Sequence, residues 1–103
     1  MTDAKERHPY DILPHIKKLS QEVLFGDVWE KPELSKRDRS LITCAILSAQ
    51  YRTVELQHHM QLALKNGVTE DEIKAMITHV AFYSGWPTAV NAGRVALDIL
   101  GKD

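Results

Sequence analysis

A single cysteine, Cys44, leaves this sequence without the means for an internal disulfide or a Cys-x-x-Cys redox pair. No stretch approaches the roughly 18 consecutive apolar residues of a transmembrane helix. Neither sign of charge dominates: 13 Lys and Arg stand against 14 Asp and Glu, for a net charge of −1. That balance carries no basic footprint for nucleic acid and no polybasic segment for a membrane surface. The opening residues, Met1-Thr2-Asp3-Ala4-Lys5-Glu6-Arg7-His8, are charged and contain no apolar core, so they do not read as a signal peptide. Low-complexity segments, internal repeats and alternating strand patterns are also missing. The expectation is a soluble cytoplasmic protein with no nucleic-acid and no membrane partner. At 103 residues it is expected to be one domain, 1–103, with residues 1–9 a polar arm.

What is present is helical periodicity. Ile12, Ile16, Leu19, Val23 and Leu24 recur at helical spacing between Tyr10 and Leu24, with a start near Pro14 and an end at Gly26-Asp27. Val28 to Leu34 reads as a loop. Ser35, with Asp38 three residues on, caps a second helix from Lys36 to about Gln50. Its centre, Leu41 to Leu47, is apolar all round, which predicts burial on several sides and an oligomer rather than a monomer. Thr53 is placed to cap a third helix running to Lys65, which Asn66-Gly67 would stop. Thr69 and Glu72 form a full capping box for a fourth helix, broken at Gly85-Trp86-Pro87. The fifth, from about Thr88 to Leu100, carries Ala89, Ala92, Gly93 and Ala96, small enough for close helix contact. The class is all-α, about five helices joined by short connections.

Two of these helices carry proton-bearing side chains four residues apart. Glu55 and His59 share one face of the third helix, and His79 and Tyr83 one face of the fourth, each at the edge of an apolar stripe. An acid–base pocket between packed helices needs that arrangement. A solvated polar edge for the first pair, and an interface histidine beside a half-buried tyrosine for the second, are the competing readings.

Between Phe25 and Leu100 an ordered set of segments stands out: Phe25-Gly26-Asp27-Val28-Trp29, Leu34-Ser35-Lys36-Arg37-Asp38-Arg39-Ser40-Leu41, His59, and Ala63-Leu64-Lys65-Asn66-Gly67-Val68-Thr69. They continue as Glu72-Ile73, His79-Val80-Ala81-Phe82-Tyr83-Ser84-Gly85-Trp86-Pro87, and Ala89-Val90-Asn91-Ala92. In these residues the sequence resembles the carboxymuconolactone decarboxylase family. The resemblance implies an alkyl hydroperoxidase D-like helical bundle intertwined in a ring-like homo-oligomer, a trimer or hexamer. It also implies loss of CO2 from a carboxylated lactone in aromatic-acid degradation, without a cofactor. The redox branch of that superfamily has Cys-x-x-Cys followed four residues later by His. Here its cysteine positions fall on Arg52 and Glu55, and its histidine on His59. A peroxidase or thiol-reductase activity is therefore disfavoured, since a second thiol is needed to resolve the first. A non-catalytic oligomer binding a small ligand is the third reading.

For decarboxylation the site must hold a carboxylate, stabilise an oxyanion and deliver a proton. His59 is assigned as general acid, with Glu55 orienting or recharging it. His79 and Tyr83 are candidates for the oxyanion, and Trp86 for the pocket mouth, although a loop Trp anchoring two helices is the commoner role. Arg39, Arg52 and Arg94 are candidate carboxylate clamps, with Arg37-Asp38-Arg39 also read as structural ion pairs. Asn91 reads as structural first. His58 points about 100° away from His59 around the helix and reads as surface or as an intersubunit contact. No metal is expected: adjacent histidines cannot both ligate from one helix face, and no HExxH accompanies them.

Overall fold

The computed structural model describes residues 7–101, all-helical with no strand among them. Residues 1–6 of the expected polar arm, and the signal-peptide question with them, lie outside the described residues. Two units are distinguished, one up to Glu33 and one from Leu34 on.

In the first unit, proline sets the backbone twice. A 3-10 turn spans Pro9–Ile12, where the His8 ring nitrogen accepts from the Tyr10 N–H at 3.0 Å. Helix α1, Pro14–Leu19, then starts on Pro14 and runs into a π turn at Ser20–Leu24. The expected start near Pro14 therefore holds, and Tyr10 to Leu13 belong to the turn before it. Position 26, just after the segment, has room only for glycine, because a Cβ there would meet the Gln21 carbonyl oxygen at 2.7 Å. Trp29 is buried, in a short 3-10 turn, with its ring 5.4 Å from Phe25.

The second unit is a four-helix arrangement: α2 (Lys36–Ala49), α3 (Thr53–Lys65), α4 (Glu70–Ser84) and α5 (Trp86–Leu100). The Ser35 hydroxyl caps α2 by accepting from the Asp38 N–H at 3.0 Å. Thr53 is the first residue of α3 rather than its cap; Arg52 takes the cap position and no side chain caps the helix. The cause is the tight link from α2, where Tyr51 adopts φ 59 and the Arg52 N–H donates to the Leu47 carbonyl. A tyrosine in the left-handed region costs on the order of 1 kcal/mol or more, and it stands one turn before Glu55.

Asn66-Gly67 stops α3 as expected. Gly67 has φ 102, and the N–H groups of Val68 and Gly67 close back on the carbonyls of Ala63 and Leu64. The Thr69–Glu72 box is complete, and the second Glu72 oxygen pairs with Arg37 of α2. Thr69→Ala is therefore expected to cost about 1 kcal/mol, read as a lower urea midpoint at an unchanged slope. At the far end Gly85, with φ 109, lets α5 begin directly on Trp86, two residues earlier than Thr88, because Pro87 suits a first helical turn.

Helix α2 packs on α3 and α4, and α5 packs on both as well, so α3 and α4 occupy opposite corners. Leu56, Met60 and Ile73 are fully buried between them, and Ala92 and Ala96 of α5 are buried as their size allows. On α2 the buried stripe is Ser40, Cys44 and Ser48, while Ile42 and Ile46 remain exposed. The all-round burial expected from its apolar centre is thus not met within one chain.

Polarity of the bundle follows from two contacts. Arg37 and Glu72 join the starts of α2 and α4, and Asn66 donates to Ser40 at 2.9 Å, bringing the end of α3 to the start of α2. The α2–α3 turn and the α4–α5 corner therefore share the other end.

Candidate active site

Glu55 and His59 stand one turn apart on α3 at that shared end. Leu56, Met60 and Ala63 turn inward. At about 100° per residue, Glu55 and His59 fall on the edge of the buried stripe. Glu55 is exposed and His59 half-buried. The His59 Nδ1 atom is buried and has no hydrogen-bond partner. A buried imidazole nitrogen without a partner is costly to keep, and it marks His59 as a position that packing alone does not explain.

Burial pulls the His59 pKa below its ordinary 6.5, the neighbouring His58 pulls it further down, and Glu55 pushes it back up. The His58 ring stands edge-on to His59 at 5.3 Å. The sequence placed His58 at the surface, where it is, but its electrostatic effect on His59 was missed. Adjacency alone was the available signal.

His79 and Tyr83 also form a pair, with rings stacked at 4.8 Å on α4. Phe82 and Trp86 meet edge-on at 6.3 Å across the α4–α5 corner. Within one chain the structure does not bring this set against His59. No hydrogen bond or ring contact links the two pairs among the described residues, because α3 and α4 occupy opposite corners. The arginines are spread out. Arg52 is exposed at the start of α3. Arg39 is half-buried and donates from Nε to the Leu34 carbonyl at 3.2 Å. Both lie about 10 Å along the helix direction from His59, at 1.5 Å per residue and counting Arg39 from the Asn66–Ser40 contact. Arg37, the expected structural ion pair, reaches Asp38 at 2.8 Å as well as Glu72.

Arg94 lines a different feature, a groove of about 360 Å³ between α3 and α5 with Thr53, Gln57, Asn91 and Asp98. Its guanidinium donates to Asn91 Oδ1 at 3.0 Å. The sequence offered no signal for that groove, since its walls come from segments some 40 residues apart. Cys44 is fully buried and burial pushes its thiol up to about 11. A thiolate nucleophile needs the opposite, exposure and a lowered pKa. Among the described residues no group of three His, Cys, Asp or Glu side chains is arranged to hold a metal ion. Nor is any helix among them long and apolar enough to cross a membrane.

Known proteins match this chain over most of its length. The family model described as "Carboxymuconolactone decarboxylase family" matches residues 14–98. A 4-carboxymuconolactone decarboxylase of Acinetobacter baylyi is 40% identical over 75 residues, covering 73% of this chain and 56% of the relative. A nitrosuccinic acid decarboxylase of Metarhizium robertsii is 39% identical over 74 residues, covering 72% of this chain and 52% of the relative. The chain thus spans about half the length of the curated relatives it matches.

Proposed function

The chain belongs to the carboxymuconolactone decarboxylase family, and from that membership we propose that it is a cofactor-independent decarboxylase of a small carboxylated metabolite, a lactone first among them. The observation that carries the proposal is the unpartnered, buried Nδ1 of His59 one turn from Glu55. Carboxymuconolactone and nitrosuccinic acid each carry an electron-withdrawing group that can hold, as an oxyanion, the electron pair released with CO2. A site for either must therefore do two things: accept charge on oxygen and return a proton to carbon.

In the proposed step the bond between carbon and the departing carboxylate breaks, and CO2 leaves. The electron pair moves into the lactone system as an enolate, and His59 protonates the carbon. The Glu55 carboxylate steadies the imidazolium, and solvent returns the proton that His59 gives up. Arg52, exposed at the start of α3, holds a substrate carboxylate; Arg39, in the first turn of α2 at the opposite end of the bundle, stands too far from Arg52 to clamp the same small molecule. Tyr83 and His79 donate to the enolate oxygen and Trp86 covers the mouth where a neighbouring copy brings them to His59, since one chain keeps the two pairs apart. The working form is a homo-oligomer, a trimer or hexamer, placed in the cytoplasm; the exposed Ile42 and Ile46 on α2 support association. The thiol route is set aside on the buried Cys44.

The test is CO2 release from 4-carboxymuconolactone by the purified protein. Turnover supports the reading, and its absence in a correctly assembled oligomer removes this substrate. The pH profile is a second check. A general acid works protonated, and the His59 pKa lies below 6.5. Hence kcat/KM is expected to fall as pH rises, with a midpoint below 6.5. Glu55→Gln removes the charge that holds the proton, so its midpoint should move to still lower pH. A rate that falls on acidification instead would make His59 a base and contradict the assignment.

A further inference from the structure

We infer that Tyr51 and Arg52, at the end of α2, form the specificity pair of the site: the tyrosine ring stacks on an unsaturated ring of the substrate while the guanidinium takes a carboxylate. Which molecule they serve rests on the decarboxylase reading; their departure from ordinary helix-end chemistry does not.

Helices α2 and α3 end in the same hydrogen-bonded motif. After α3, the Gly67 N–H donates to the Leu64 carbonyl at 3.1 Å and the Val68 N–H to the Ala63 carbonyl at 2.9 Å. After α2, the Tyr51 N–H donates to the Ser48 carbonyl at 3.2 Å and the Arg52 N–H to the Leu47 carbonyl at 2.9 Å. In both, the first residue past the cap is left-handed, Gly67 with φ 102 and Tyr51 with φ 59. The motif favours glycine there, followed by an apolar residue that packs back on the helix. The end of α3 complies: Val68 follows Gly67 and is buried. The end of α2 departs twice. A bulky tyrosine stands in the glycine place, the one non-glycine residue with positive φ among the described residues, and the backbone there is strained. An exposed arginine stands in the apolar place.

No hydrogen bond or ring contact of the fold offsets that cost. Tyr51 is 52% exposed, and its side chain makes neither among the described residues. Arg52 meets no carboxylate among them. A ring and a guanidinium that the fold leaves unused therefore stand side by side on a backbone that the motif fixes. Strain of this kind collects where a ligand is held. The pair stands one turn before Glu55, with His59 about 10 Å from Arg52 along α3. The two long side chains, Arg52 and His59, close that distance on one small molecule.

The pair has a definite chemistry. A guanidinium fork takes a carboxylate through two parallel hydrogen bonds. An aromatic face takes another flat, unsaturated ring in offset stacking. Together they select an unsaturated cyclic carboxylate, a carboxylated unsaturated lactone among them, over an open-chain acid. The open-chain acid offers Arg52 the same carboxylate and gives Tyr51 no ring to stack on.

The experiment is a set of binding titrations in the His59→Ala protein, which leaves the bound molecule unconsumed. 4-Carboxymuconolactone is expected to bind about 3–10-fold more weakly when Tyr51→Gly is added, the contribution of one aromatic stack. With Tyr51→Phe, which keeps the ring, its affinity should stay within about twofold of the parent. Succinate, an open-chain dicarboxylate, should bind the Tyr51→Gly protein within about twofold of the parent as well. Tyr51→Gly should also leave Tm unchanged or a few degrees higher, because a left-handed backbone suits glycine. Unchanged lactone affinity in Tyr51→Gly, or an equal loss for succinate, would overturn the specificity role. A fall in Tm of more than about 4 °C would assign Tyr51 to the fold and overturn it too. The expected binding pattern in a protein whose wild type releases no CO2 would support the pair and count against the decarboxylase reading alone.

Discussion

His59→Ala is expected to lower kcat by about 10²–10⁴-fold, the range a positioned general acid contributes, with the oligomer mass and helical circular dichroism unchanged. The structural case for a selective effect is that His59 is only half-buried and its Nδ1 bonds to nothing in the protein. Removing it breaks no hydrogen bond of that atom, so the loss should fall on chemistry and not on folding. It should even relieve a small acid sensitivity. The folded pKa lies below 6.5, so the unfolded chain binds the proton more tightly than the folded one. Stability from this group is therefore present above about pH 6.5 and is lost as pH falls toward the folded value. Urea midpoints of wild type and mutant should converge at neutral pH and separate in acid, the wild type losing more. Turnover that survives the substitution would remove His59 from the mechanism.

Leu56→Ala should have the largest effect on stability. Leu56 is fully buried on α3, beside Glu55 and within the core that Met60 and Ile73 share. Truncating a leucine in such a place costs about 2–5 kcal/mol, from lost burial and the cavity left behind. In a chain of this size that corresponds to a fall in Tm on the order of 15 °C. Because the same helix face orients Glu55 and His59, kcat should fall as well, unlike a core truncation at Ile73 on α4. A change of only a degree or two in Tm would mean that Leu56 does not hold the packed core together.

Legibility differed between elements for identifiable reasons. The Asn66-Gly67 stop and the Thr69–Glu72 box are local, each closed by hydrogen bonds within five residues. They could be read directly. The start of α3 could not. Thr53 is a good cap in isolation, and only the Arg52 bond to Leu47 of α2 shows that the helix begins on it. Gly85 likewise hid the start of α5 behind a Pro that looks like a breaker and acts as a first-turn residue.

By itself the sequence determined the all-α class, the family and the one-turn pairing of Glu55 with His59 and of His79 with Tyr83. Each of these depends on spacing along a helix, where 3.6 residues per turn decide which side chains are neighbours. Only the tertiary structure decided that His59 carries a buried, unpartnered nitrogen, that Cys44 is sealed from chemistry, and that the two pairs stand on opposite corners of one chain. Those facts depend on which helix packs on which. That choice is made by side-chain fit between segments distant in sequence, and no local pattern records it.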